Sequence, residues 1–340
     1  MLTLILACQS GTPDVPPAES LAPETAAAPE GKGTTMVAVN HPVQDQRIVE
    51  LDADGEVVWS YTLPDELTFV GDGLPPGLLS SMEVLDDGNV LFAVLGVGIF
   101  ETNRKNQLVW EHLDPGASHD VDRLESGNTL YARTWAAKGE PQVVEVDPDG
   151  DTVWSWTGLE DFDAHVVFGE LRDEGEGWMH VNDVNRDADG RTMVVIRNFN
   201  KIVHIDPSGA IDDVFTFNAA GGPFGIKTKG PVDGERPHGV EFLGEHHFIA
   251  ATRNPHRVVE VEGREIVWSY GNAAWPGLRD SDRLPNGNTL LVAAQDVVEI
   301  DADGRIVWQW GLGYEGLADD LNPICGASRI AADGTVLDQD

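Results

Sequence analysis

The stretch QVVEVDPDGDTVWSW, Gln142 to Trp156, alternates apolar and polar residues, breaks at an acidic turn, and alternates again to end on tryptophan. Period two on both sides of a D-x-D-G turn reads as two antiparallel strands joined by a tight connection. The same layout recurs as RIVELDADGEVVWSY from Arg47, IFETNRKNQLVWEH from Ile99, KIVHIDPSGAIDDVFTF from Lys201, RVVEVEGREIVWSY from Arg257 and VVEIDADGRIVWQW from Val297. Six copies along one chain are the mark of a repeat architecture, in which each unit covers its apolar faces with its neighbours.

A second hairpin lies between the copies. Its first strands begin near Ser80, His119, His180, His238, Arg279 and Cys325, and its turns read DDGN, ESGN, DADG, GEHH, PNGN and AADG. Each repeat then holds four antiparallel strands, the content of a propeller blade. The expected fold is all-β: a six-bladed β-propeller of four-stranded antiparallel blades. Its ends fit together, because MVAVNHP (Met36 to Pro42) reads as a second strand lacking its first, and ICGASRIAADG reads as a first strand lacking partners. Sharing one blade removes exposed sheet edges; the final TVLDQD competes for the second-strand place. Trp59, Trp110, Trp154, Trp268 and Trp308 recur at one blade position and are expected between blades, where large aromatics dominate packing. The DADG and DPDG turns lack the longer ligand series of a calcium loop and read as turn chemistry.

With 58 acidic and 22 basic residues, the 340-residue chain carries a formal charge of −36. That excludes nucleic acid and anionic membrane surfaces as partners, and it requires a local cationic cluster for any anionic substrate. The N-terminal MLTLILACQS ends an apolar run in Ile5-Leu6-Ala7-Cys8, which resembles a bacterial lipobox. The resemblance implies lipidation of Cys8, a periplasmic or cell-surface lipoprotein, and membrane contact only through the lipid. Residues 1–8 are then a signal, 9–35 a Pro- and Ala-rich tether unable to bury a core, and 36–340 the propeller. The only other cysteine is Cys325, so a lipidated Cys8 leaves no intrachain disulfide.

The hairpins SHDVDRLESGNTLYAR, MHVNDVNRDADGRTMVVIR and PHGVEFLGEHHFIAATR open near a histidine and close on an arginine. Folding each about its turn brings His119 toward Arg133, His180 toward Arg197 and His238 toward Arg253, all at one mouth of the channel. Arg279 takes the histidine position in the next blade. Two long connections, residues 157–177 and 218–236, enter the same face; the second holds Gly221, Gly222, Gly225 and two of the six lysines, Lys227 and Lys229. Trp135, Trp178, Phe224 and Trp275 lie in or near these loops, as aryl-stacking residues or as ordinary packing. Three readings of the histidines compete: blade-locking hydrogen bonds with Asp122, Asp183 and Glu241, a three-histidine metal site, and an oxyanion site. Neighbouring arginines repel a cation, and residues three apart on a strand face opposite sides, so the oxyanion site fits best.

HVNDV (His180 to Val184), VIRNFNKIVHID (Val195 to Asp206) and PHGVEF (Pro237 to Phe242) resemble the bacterial aryl-sulfate sulfotransferases, periplasmic six-bladed propellers that pass a sulfuryl group between phenols without a nucleotide donor. The resemblance implies an aryl sulfate donor, a phenolic acceptor and no cofactor. It makes His238 the nucleophile, sets His180, Asn182 and Arg197 on the sulfuryl oxygens, and has His119 complete the pocket; Arg133, Arg253 and Arg279 are further substrate-binding candidates. The extra N-terminal β-domain of larger members and the disulfide some carry near the nucleophile are not expected here. The competing functions are a non-catalytic surface propeller that binds anionic ligands, and a metal enzyme using His119, His180 and His238.

Overall fold

The computed structural model describes residues 33–40, 46–68, 77–159, 177–217, 236–253, 256–272, 275, 277–313 and 323–337. The signal, Cys8, nearly all of the tether and most of both long connections, with Phe224, Lys227 and Lys229, lie outside the described residues.

Six four-stranded antiparallel sheets form the fold. The first blade joins Ile324–Ile330, Thr34–Asn40, Gln46–Leu51 and Val57–Thr62, in that order. The second runs Leu78–Val84, Val90–Leu95, Gly98–Thr102 and Leu108–His112. The third runs Val121–Arg123, Thr129–Ala132, Val143–Val146 and Thr152–Trp156. The fourth is Val181–Arg186, Thr192–Ile196, Lys201–Ile205 and Ile211–Thr216. The fifth is Pro237–Gly244, His247–Arg253, His256–Glu262 and Glu265–Tyr270. The sixth is Asp280–Arg283, Thr289–Val292, Asp296–Ile300 and Ile306–Gly311.

The termini share the first blade. Thr34 pairs with Ile330 and Val37 with Ala327, so the N-terminal strand holds the second-strand place. The C-terminal segment adds one bridge, Ile330 to Val336. Acidic residues in the outer turns act as local acceptors: Asp52 Oδ1 takes the backbone N–H of Asp54 and Glu56, and Asp147, Asp187, Asp206 and Asp301 repeat this. The side chain substitutes for backbone partners that a tight turn leaves unpaired.

What joins blade to blade is a repeated trio. On the third strand a glutamate stands opposite the tryptophan of the fourth: Glu101 and Trp110, Glu145 and Trp154, Glu260 and Trp268, Glu299 and Trp308. An arginine from the first strand of the next blade ion-pairs with that glutamate and lies 4.7 to 4.8 Å over the indole: Arg123, Arg186, Arg283 and Arg329. The tryptophans are therefore inter-blade, as their spacing implies, but only Trp308 among these is fully covered; the guanidinium supplies the lid for the rest.

At two interfaces the arginine position holds Val84 or Phe242, and the cation arrives from the outer turn of the next blade instead. Arg104 covers Trp59 and pairs with Glu50. Arg264 covers Phe215 and pairs with Asp213. In that second case His204 occupies the glutamate position and packs against Phe215, Phe242 and Phe248.

The trio at the ring closure is the most enclosed, with side-chain exposures of 4% for Arg329 and 1% for Glu299. Removing one member of a buried pair leaves a charge without compensation, a loss of about 3–5 kcal/mol, whereas replacing both by apolar groups is near neutral. Arg329→Met should therefore lose that much stability in urea unfolding followed by tryptophan fluorescence, and Arg329→Met with Glu299→Leu should recover most of it. Equal losses in the single and double variants would remove the pair from the closure.

Candidate active site

First strands of neighbouring blades touch one another around the axis. Four residues before each lock position they present Ser80, His119, Asn182, His238, Arg279 and Cys325 to one end of the channel. The ladders break at this level. Register shifts fall between Leu79 and Ser81, between Val181 and Asp183, and between Pro237 and Val240. In the third blade Ser118 N–H donates to Ala132 O, and Ala132 N–H donates to Asp120 O, with His119 between them. Such irregularities free a side chain from the pleat and re-aim it. His119 and His180 have φ of 70° and 52°, the left-handed region. For residues other than glycine this conformation costs about 1–2 kcal/mol and persists where the surroundings impose it.

The three imidazoles meet. The His119 ring centroid is 5.2 Å from that of His180 and 6.1 Å from that of His238. Arg197 follows its strand in a 3₁₀ turn, Arg197–Phe199, closed by Asn200 in the left-handed conformation. There its guanidinium lies 2.7 Å from His180 Nε2. A guanidinium only donates, so His180 Nε2 is the unprotonated nitrogen and the ring is neutral. His119 Nδ1 lies 2.5 Å from Ser118 Oγ. The His238 ring makes no hydrogen bond among the described residues. Asn182 donates to Pro237 O at 3.4 Å, one residue before His238.

Burial lowers His119 and His238 well below the ordinary histidine range, and the surrounding cations add to it. For His119 these are Arg279, Arg197 and Arg253; for His238 they are Arg279 and Arg253. Both rings are neutral at pH 7, as a nucleophile requires, and a neutral ring N–H can donate a hydrogen bond to a leaving oxygen.

The structure thus brings together His119, His180, His238, Arg197, Arg253, Arg279 and Asn182. It gives Arg133 another partner: Nε sits 2.9 Å from Asp114 Oδ2, and the expected pairing with His119 does not form. Asp114 captures the guanidinium instead, with a second contact from Arg133 Nη2 to Asp114 Oδ1 at 3.4 Å. Trp135 stands at the rim, 40% exposed, 5.7 Å from His119 and 6.4 Å from His180 between ring centroids. Trp178 and Trp275 are buried in the core. No three His, Cys, Asp or Glu side chains among the described residues form a group that could hold a metal ion.

Below the histidines lies a layer of carboxyls that the sequence reading missed in this role. Asp120 accepts the Val184 N–H at 2.9 Å, Glu83 that of Arg123 at 2.7 Å and Glu241 that of Arg283 at 2.6 Å. Of the acids named by the blade-locking alternative only Glu241 is among these three, and it ties to the backbone of the next blade and not to His238. Glu83 and Glu241 stand just before the two lock positions that hold Val84 and Phe242 in place of arginine, and Asp120 stands three residues before Arg123. Burial pushes Asp120 up to about 7 and both glutamates up to about 8.

A closed ring of six sheets with an imidazole and guanidinium pocket at one mouth defines a class of propeller proteins with an anion-handling site. The family described as Arylsulfotransferase (ASST) matches residues 22–215, more than half of the chain, and the chain belongs to it. The match takes in His119, His180, Asn182 and Arg197; His238, Arg253 and Arg279 lie beyond it. No curated protein matches. Among solved structures, a Bacteroides caccae protein of unknown function is 18% identical with a TM-score of 0.59, covering 88% of this chain and 99% of its own. A streptogramin B lyase is 10% identical with a TM-score of 0.52, covering 94% and 92%. A virginiamycin B lyase from Staphylococcus aureus, with quinupristin, is 12% identical with a TM-score of 0.50, covering 87% and 89%. These likenesses extend to the fold.

The carboxyl layer sets a pH dependence. Glu83 and Glu241 have folded values raised to about 8, against about 4.3 in an unfolded chain. The folded state binds the extra protons, so this contribution is complete below the unfolded value and is lost as pH rises through 8. Glu83→Gln with Glu241→Gln keeps the acceptors for Arg123 and Arg283 without the charge. The variant should lose less stability than the parent between pH 5 and pH 9 in urea unfolding. Parallel pH profiles would show that these carboxyls are already ionised in the folded protein.

Proposed function

We propose that this protein transfers a sulfuryl group from an aryl sulfate to a phenolic acceptor through a sulfated His238, with no nucleotide donor. The observation that carries the reading is the difference among the three clustered histidines. His180 is engaged by Arg197, His119 is engaged by Ser118, and His238 alone keeps both ring nitrogens clear of hydrogen bonds to the described residues.

In the first half-reaction a neutral His238 nitrogen attacks sulfur, the bond from sulfur to the aryl oxygen breaks, and the departing oxygen leaves as a phenolate that accepts a hydrogen bond from a neighbouring neutral imidazole. In the second half-reaction the acceptor, having lost its phenolic proton to water, attacks sulfur as the phenolate, and the bond from nitrogen to sulfur breaks to return neutral His238. Arg197, Arg253 and Arg279 favour the anionic ester and the negative charge spread over its oxygens in the transition state. Asn182 is placed to add a side-chain contact, and Trp135 offers an aromatic face to the aryl ring. The family membership supports the reaction class; the individual roles rest on the geometry. We also propose that the chain is a lipoprotein anchored through Cys8, on the strength of Ile5-Leu6-Ala7-Cys8 and the tether that follows.

With 4-nitrophenyl sulfate and phenol, the wild type should turn over and His238→Ala should not. Arg197→Ala should lose about 3 kcal/mol of transition-state stabilisation, roughly 100-fold in rate, the scale for one oxyanion donor. Trp135→Ala should raise the KM for the phenolic acceptor. Mass spectrometry with donor alone should find one added sulfuryl on the peptide holding His238; normal turnover by His238→Ala would end the proposal. For the anchor, Cys8→Ser expressed in a bacterium should move the protein from the membrane fraction to the soluble one, and a wild type that is already soluble and unprocessed would refute it.

A further inference from the structure

Ser118 is fully buried, and its hydroxyl has one side-chain partner among the described residues, His119 Nδ1 at 2.5 Å. A neutral imidazole carries one ring proton, and two arrangements fit that contact. In one, Ser118 donates to Nδ1 and the ring proton sits on Nε2. In the other, Nδ1–H donates to Ser118 and the hydroxyl hydrogen is buried without an acceptor. An unsatisfied buried donor costs about 1–3 kcal/mol, a factor of roughly 5 to 150, so the first arrangement dominates.

The backbone makes the contact possible. His119 is in the left-handed conformation at φ 70°, with Ser118 and Asp120 both fastened to Ala132. The residue is turned back toward its predecessor, and Nε2, on the far side of the ring, points away from Ser118. The neighbouring His180 cannot take the same part in this geometry, because its Nε2 accepts from Arg197.

We propose that Ser118 is a positioning residue that holds His119 in the Nε2–H form, so that His119 and not His180 donates the hydrogen bond that stabilises the leaving aryl oxygen. The balance is simple: the bond from sulfur to the aryl oxygen breaks as that from His238 to sulfur forms, the aryl oxygen leaves as a phenolate hydrogen-bonded to Nε2–H and takes its proton from water, and the Nε2–H bond stays intact in both half-reactions. The inference rests on the proposed sulfuryl transfer, and its test separates the two.

The test uses the full chain labelled with ¹⁵N in histidine, with His119→Asn to assign the signals, since asparagine tolerates the left-handed backbone. Long-range ¹H–¹⁵N spectra of the wild type should show a protonated Nε2 and a bare Nδ1 for His119. Ser118→Ala should populate both tautomers, and Ser118→Thr, which keeps the hydroxyl, should restore the wild-type pattern. Turnover should follow the leaving group. Ser118→Ala should lose about tenfold with phenyl sulfate, whose more basic leaving oxygen needs the hydrogen bond, and little with 4-nitrophenyl sulfate, below the roughly 10²–10³ lost with a whole oxyanion donor. A protonated Nδ1 in the wild type overturns the proposal. So does a Ser118→Ala variant with an unchanged tautomer, or an equal loss for both donors. A wild type with the expected tautomer but no turnover of any aryl sulfate sinks the sulfuryl transfer and with it this role of Ser118, while leaving the hydrogen bond itself in place.

Discussion

The structure depends on the arginine that each blade lends to the one before it. A four-stranded sheet has two faces, and in a ring each must be covered by a neighbour related by rotation. Aliphatic side chains supply most of the contact, but they are adaptable and do not fix the angle between sheets. The guanidinium does. It must lie flat on an indole and reach a carboxylate one strand away at the same time, as Arg329 does with Trp308 and Glu299. Planar, directional hydrogen bonding is what distinguishes arginine from lysine here. Where the arginine is lost, at Val84 and Phe242, another is supplied from the outer turn rather than the interface being left apolar.

A rigid ring allows its inner strands to be irregular. Breaks in the ladder and left-handed backbone at His119 and His180 would open a free hairpin, since each gives up hydrogen bonds or adds strain. Three further strands per blade and a locked neighbour on each side hold them. The reward is position: side chains that would otherwise pack between sheets are turned into a shared space, where the ring of His119 approaches those of His180 and His238. A less constrained scaffold would relax the strain and separate them.

The fold was legible because period-two alternation, D-x-D-G turns and tryptophans recur in the same order six times. The histidine cluster was legible because three of those repeats begin a first strand with histidine. Pairing of His180 with Arg197 followed from simple hairpin geometry, but the same reasoning misplaced Arg133. Its partner Asp114 lies in the connection before the hairpin, outside the strands from which the pairing was read. The lock arginines were visible at a constant offset, in DRL, NRD, DRL and SRI. Their pattern was overlooked because attention fell on the arginines that end the second strands. Ser118 gave no signal at all: a serine beside a histidine is common, and only the left-handed backbone at His119 makes the two side chains meet.

The charge distribution resolves an apparent conflict. A protein of net charge −36 repels anions at long range, yet the proposed substrate is an anion. At physiological salt the exposed charges are screened over about 8 Å, so an anion near the mouth responds mainly to what faces it there. Facing it are Arg197, Arg253 and Arg279, whose effect on His119 and His238 shows that they act at short range. The carboxyls of the layer below would oppose this if ionised. Burial pushes Glu83 and Glu241 up to about 8, so at neutral pH they hold protons and add little negative field. Asp120, pushed up to about 7, is divided between its two forms there, and the same burial raises Asp280. The low-dielectric interior that keeps the rings of His119 and His238 neutral thus also weakens the field of the acids beneath them. One physical cause, the exclusion of water by a closed ring, therefore sets both halves of the pocket: uncharged rings, and cations that face a reduced counterfield from below.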